Sequence, residues 1–447
     1  MKKFFEGIAN VWKIEELKNR ILWTLGLLVV YRFGAHVTLP GIDAAQLGGL
    51  AGQTKNGIGS ILDMFTGGSF SKASVFALGI MPYISASIVV QLMGIAIPYL
   101  QKLQKEGESG RKKINQITRW LTIIICLVQA PGYIYNLYRT LPSSAFLLGF
   151  DSFSFLFSSV IILVTGTIFA MWLGEKITDK GIGNGISLLI MIGILARLPQ
   201  AFIQEFTTRV TNNNGGPMLL VIEIILWLLV IIACVLLVMA VRKIQVQYAR
   251  RTVSGDFEKD LNGSRQWIPL KLNASGVMPI IFAQAIMFIP AALAGLSNSE
   301  ASQTVAGTFS NMFGFWYNLV FALLIIVFTY FYTAITVPTN KMADDLKRSG
   351  GFIPGTRPGI ETSELLDRIM SLITFPGAVF LALIAVFPAV VVSVFNVQQS
   401  WAMFYGGTSL IIMVGVAIDT IQQINSYLLN KHYDGLMKTG KNRKAVA

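Results

Sequence analysis

Long apolar runs, separated by short charged stretches, set the rhythm of this chain. Ten runs of roughly 18 or more residues lie near 21–39, 72–97, 116–138, 153–174, 183–203, 217–241, 273–297, 313–337, 369–393 and 402–428. Lipid offers no hydrogen bonds to a backbone, so each run is predicted to be a membrane-spanning helix. The rhythm breaks once. Ile58 to Phe65 is apolar but too short to cross a bilayer, it runs into Gly67 and Gly68, and only then does a full-length run begin.

Ten spans divide into two sets of five, 21–210 and 211–428, joined by the polar "TNNNGGP" from Thr211 to Pro217. An odd number of spans per half makes the second half enter from the opposite side. Two halves related as structural repeats are therefore inverted ones, with a functional path between them. Residues 1–20 read as an amphipathic surface segment with no cleavable signal, and 429–447 as a basic tail. Two connections are long. The first, 242–272, alternates Ile244, Val246 and Tyr248 before a Gly-rich turn and predicts a β-hairpin. The second, 338–368, holds Gly350, Gly351, Pro354, Gly355, Pro358 and Gly359 and predicts a rigid looped projection. Their length points to docking surfaces, because topology alone needs only short loops.

Composition agrees with a membrane protein. Of 447 residues 53% are hydrophobic and only 13% charged, too little polar surface to coat a soluble fold. Of the 36 Lys and Arg, only Arg32, Lys55, Lys72, Arg139, Arg197 and Arg209 lie on one side of the ten-span arrangement. The rest lie on the other, so both termini are expected in the cytoplasm and the net charge of +13 is mainly a topology signal.

The residues that carry chemistry are sparse. Gly350 to Gly355 followed by Thr356 and Arg357 has a GxxxxG spacing without the phosphate-binding Lys, so ATP hydrolysis is not expected. Cys126 and Cys234 fall inside runs, and His36 and His432 lie on opposite sides, so neither a disulfide framework nor a metal site is expected. Arg32, Glu175, Glu223 and Asp419 sit within about two turns of run ends, where snorkelling or capping is the simplest reading. Little is left to couple transport to ions. The rival reading, a ten-span inverted-repeat secondary transporter, requires a polar midplane site that the runs do not display. Ile80 and Ile84, like Ile186 and Ile190, are four apart and share a helix face.

"FALGIMPYISASIVVQL" (76–92), "KEGESGRKKINQITR" (105–119) and "MWLGEKITDKGIGNGIS" (171–187) resemble the bacterial SecY family, the channel subunit of the general protein translocase. "LKLNASGVMPIIFAQAI", "FYTAITVPTNKMADDLKRSGGFIPGTRPG" and "FYGGTSLIIMVGVAIDT" continue the match in order. The resemblance implies an all-α membrane protein of ten helices in two inverted five-helix halves, a clamshell pore, and a second span split by a plug. Residues 58–68 would be that plug, with Ile58, Ile61, Met64 and Phe65 as apolar contacts and Gly67 and Gly68 as hinge. The family's narrow pore ring maps onto Ile80, Ile84, Ile190, Ile281 and Ile412, with Ile186 nearby. Its lateral seam, through which apolar segments reach lipid, maps onto Ser85, Gln91, Asn184 and Ile289. Arg250, Arg251, Lys347, Arg348 and Arg357 on the long loops would dock the SecA motor ATPase or the ribosome. SecE and SecG are the implied partner subunits, the bacterial cytoplasmic membrane the implied location, and an unfolded polypeptide the implied cargo. No enzyme activity or cofactor is implied.

Overall fold

Among its described residues the chain is mainly helical. The structure, a computed structural model, describes residue 12 and residues 14–47, 63–146, 152–211, 216–248, 266–294 and 311–444. Among these, seven helices are long and apolar enough to cross a membrane, or eight when a bent pair, Met81–Gly94 with Pro98–Gln104, is counted as one span. Their outer faces are apolar as well: Val128, Phe153, Met218 and Leu236 are all exposed. Helices that are hydrophobic all round suit lipid rather than water.

The chain divides into two compact units, Met1–Gln204 with Val416–Ala447, and Glu205–Gly415. In the first, α1 (Glu15–Gly34) packs on α5 (Ser152–Lys180), and α4 (Glu108–Thr140) packs on α5 and on α2 (Met81–Ala96). Pro98 opens α3 (Pro98–Lys105), which turns 102° away from α2 and lies against α4. Pro suits that first helical position because the amide it lacks has no partner there anyway. The corner before α6 (Gly185–Thr211) is tied down by side chains from both ends of the unit. Thr24 accepts the Ile182 N–H at 3.1 Å and Gln423 accepts the Gly183 N–H at 2.8 Å.

The stretch before α2 departs from expectation. The apolar run starting at residue 72 predicts a helix there, yet α2 begins only at Met81. Residues 66–80 form a chain of turns, with left-handed backbone at Gly67, Gly68 and Gly79 and, unusually for a side-chain-bearing residue, at Ala73. The backbone hydrogen bonds this sacrifices are made elsewhere. Leu39 donates to the Ala73 carbonyl at 2.8 Å and Val75 donates to the Val37 carbonyl at 2.9 Å. Tyr133 Oη donates to the Phe70 carbonyl at 2.8 Å. Phe70, Ala73, Ala77 and Leu78 then pack into one core with Leu39, Ile42, Tyr133, Ile134, Leu137 and Phe155.

In the second unit α9 (Phe315–Thr336) packs between α8 (Met278–Ala294) and α11 (Ile360–Phe395), and α7 (Gly216–Met239) also meets α11. The unit also carries a small antiparallel sheet of order β2-β1-β3. The predicted hairpin is present as β1 (Val241–Tyr248) and β2 (Gln266–Lys271), with Val241 opposite Lys271 and Val246 opposite Gln266. The predicted looped projection is not simply a loop. Its first part forms α10 (Thr339–Arg348), and Gly351–Phe352 add a third strand, β3, to β1. A shared apolar core of Ile244, Val246, Leu270, Leu346, Ile353, Leu366 and Met370 is what joins the two segments. Leu366 is wholly buried there, so Leu366→Ala is expected to cost ~2–5 kcal/mol. Proteolysis of residues 338–368 at rising temperature checks it, with cleavage beginning earlier in the variant.

Candidate channel site

Two turns of helix bring the isoleucines of the first unit into place. Ile80 is the N-terminal cap residue of α2, Pro82 lies in the helix's first turn, and the Ile84 N–H donates to the Ile80 carbonyl at 3.1 Å. Ile80 is buried and Ile84 half-buried on that one face. On α6, Ile186 lies half-buried in the first turn and Ile190, one turn on, is buried. In the second unit Ile281 is half-buried on α8, and Ile412 is buried on a further helix, Gly407–Lys444. Asn184 does local structural work: its Oδ1 accepts the Ile186 N–H at 3.2 Å, capping α6. Ser85 is half-buried on α2, and Gln91 is exposed with its Nε2 donating to Ser87 Oγ at 3.4 Å. Ile289 lies on α8.

Ile58 and Ile61 lie outside the described residues, whereas Met64 and Phe65 are buried within the first unit. Gly67 and Gly68 have φ of +65° and +91°. A Cβ at Gly67 would sit 2.7 Å from the Cα of Gly193 on α6, so here the two backbones touch. Gly67→Ala is therefore expected to cost at least ~1–2 kcal/mol from its left-handed backbone alone, with the collision added. Faster protease cleavage near residue 67 is the readout, and Gly26→Ala, whose Cβ would meet nothing within 4 Å, is the control.

Charges gather around this turn and elsewhere in ways the run-end reading missed. Arg32, expected to snorkel, donates to the Gly67 carbonyl at 3.0 Å. Asp63 is buried, accepts the Ser71 N–H at 2.8 Å, and pairs with Arg197 of α6. Glu175, expected to cap or snorkel, is held by both arms of Arg119 at 2.9 and 2.6 Å, joining α4 to α5. Glu223 is 2% exposed and lies 2.7 Å from Arg209, which also binds Glu205 at 2.7 Å. Glu205 and Arg209, spaced i,i+4 on α6, carried a legible signal; Glu223 on α7 did not.

On the sheet-bearing side, Lys347 and Arg348 are exposed in the last turn of α10, where cations favour a helix C-terminus. Arg357 has an exposed side chain on a fixed backbone: its N–H donates to Glu361 Oε2 at 3.2 Å and its carbonyl accepts from Thr362 at 2.8 Å. Among the described residues none of these three cations is ion-paired. Arg250 and Arg251 lie outside the described residues. No group of three or more potential metal ligands is present among the described residues.

The SecY family model matches residues 74–421. The chain belongs to the SecY family. The SecY protein translocase subunit of Thermotoga maritima is 39% identical over 98% of this chain and 99% of its own length. That of Haemophilus influenzae is 40% identical over 95% of this chain and 94% of its own. The fold is shared more widely. A solved SecY structure described by its plug domain, which stabilises the closed state, aligns with a TM-score of 0.55 at 18% identity over 92% of each chain. Sec61 from a canine ribosome-channel complex aligns with 0.51 at 17% identity, also over 92% of each. These comparisons do not support the secondary-transporter reading.

Proposed function

We propose that this SecY-family chain is the channel-forming subunit of a protein translocase. It passes unfolded polypeptides across the bacterial cytoplasmic membrane and releases apolar segments sideways into lipid. The observation that carries the reading is likeness to protein translocase subunits along almost the whole chain. Ten helices in two inverted five-helix halves, 21–210 and 211–428, form the channel, with residues 1–20 and 429–447 cytoplasmic.

Ile80, Ile84, Ile186, Ile190, Ile281 and Ile412 form the constriction. A channel that must pass any sequence cannot select by hydrogen bonds, and an apolar collar dewets when empty, blocking ions. Flexible aliphatic side chains then part around a chain. Residues 58–68 act as the plug, which fits the buried, glycine-hinged turn at 63–68. Ser85, Gln91, Asn184 and Ile289 belong to the lateral exit. There a segment partitions by transfer free energy, from slightly favourable for Leu to about +3 kcal/mol for Arg at the bilayer centre. SecE and SecG complete the complex.

The energy comes from partners, the SecA motor or a translating ribosome, docked on the sheet-bearing surface through Arg250, Arg251, Lys347, Arg348 and Arg357. Where the partner is ribosomal RNA, each cation lost lowers the slope of log affinity against log salt by about 0.7–0.9. Lys347→Glu with Arg348→Glu is expected to weaken ribosome binding most at low salt, as read by co-sedimentation across a salt series. The function itself is tested by reconstituting the chain with SecE and SecG in vesicles, adding motor and ATP, and measuring protease protection of a secretory precursor. Protection that depends on this chain supports the reading; equal protection without it overturns the reading.

A further inference from the structure

We infer that Asp63 and Arg197 form a charged latch that holds the plug turn shut and sets the threshold for opening; this rests on the channel reading above. Five contacts fasten the turn, all within the first unit. Asp63 pairs with Arg197 and accepts the Ser71 N–H at 2.8 Å. Arg197 also donates to Ser71 Oγ at 3.0 Å, so its guanidinium ties both ends of the turn to α6. Arg32 on α1 holds the Gly67 carbonyl at 3.0 Å. Gly67 lies against Gly193, leaving no slack between turn and helix.

Burial is asymmetric and decides the behaviour. The Asp63 side chain is 4% exposed and that of Arg197 30%. Sliding the turn off α6 without water strands a buried carboxylate, whereas the attraction weakens sharply once water enters, because it scales inversely with dielectric constant. An apolar plug held by shape alone loosens gradually. This one resists small displacements and releases once the site is wet, so a segment that opens the channel enough to hydrate it also unlocks the plug. Asp63 is the balancing charge. Arg32 reaches the Gly67 carbonyl and Arg197 reaches Ser71 of the same turn, so neutralising Asp63 leaves two cations on the turn without its balancing charge.

The test uses complexes with their partner subunits in planar bilayers, recorded without substrate, beside vesicle transport of a normal precursor and one with a defective signal sequence. Asp63→Asn is expected to raise the resting ion leak about tenfold, ~1.4 kcal/mol of lost closure, and to increase passage of the defective precursor. Arg197→Gln raises the leak less. The double variant leaks no more than Asp63→Asn alone, since a pair acting as a unit is lost once. Ser71→Ala and Arg197→Lys, which leave both charges present, show smaller leaks. Normal transport with no extra leak in Asp63→Asn overturns the latch, as do leaks that multiply in the double variant. If Asp63→Asn does not assemble, the absence of extra leak in both mild variants overturns it. Failure of the unaltered complex to transport anything sinks the channel reading instead.

Discussion

Arg209→Met is expected to lower the stability of the chain by about 3–5 kcal/mol, the usual cost of breaking a buried ion pair from one side. The guanidinium meets Glu205 through Nε at 2.7 Å and Glu223 through Nη2 at 2.7 Å, and donates from Nη2 to the Phe395 carbonyl at 2.8 Å. Glu205 in turn accepts the Gln398 N–H at 3.0 Å, and Asn396 caps α11 in a left-handed conformation. One side chain thus binds the end of α6, the start of α7 and the end of α11. Removing it leaves two carboxylates, each about 1% exposed, without a cation and orphans carbonyls at a helix end. Arg209→Lys keeps the charge but not the fork, so its loss is smaller. The temperature at which detergent-solubilised complex aggregates reports both. A Met variant as heat-stable as the parent contradicts a structural role for the buried cation.

Ile190→Asp is expected to turn the resting channel into an ion conductor. Ile190 is buried on α6, and an isolated carboxylate there carries a penalty of several kcal/mol. The site relieves that penalty most readily by admitting water, and a wetted constriction conducts. Ile190→Val removes one methylene, costs ~0.5–1.5 kcal/mol, and keeps the collar dry. Single-channel recording separates the two: steady conductance without substrate for Asp, silence for Val. Silence in both variants removes Ile190 from the constriction.

Seven long helices, eight with the bent pair, were legible because lipid leaves a backbone no alternative to the helix. β1 was legible too, since Ile244, Val246 and Tyr248 alternate. β3 was hidden because it is two residues long and exists only through the pairing of Gln247 with Phe352 and Tyr248 with Gly351. The turns at 72–80 were hidden because they open an apolar run that reads as helix, and left-handed backbone at Ala73 and Gly79 interrupts it before α2 starts at Met81. Spacing showed that Ile80 and Ile84 share a face, and that Ile186 and Ile190 do, but gave them no role; the constriction proposed for them rests on likeness to the SecY family. Glu223 shows the limit of reading charges singly. Its partner Arg209 lies on another helix, and only folding brings the two within 2.7 Å.

The most direct test of the channel is to place a photo-crosslinking residue at Ile84 or Ile190, in membranes containing the partner subunits, and present a stalled secretory precursor. A pore lined by these isoleucines gives adducts to the middle of the precursor from both positions and none from exposed Val89 on α2 or Leu195 on α6. No adducts at either isoleucine, or equal adducts at the controls, would contradict it.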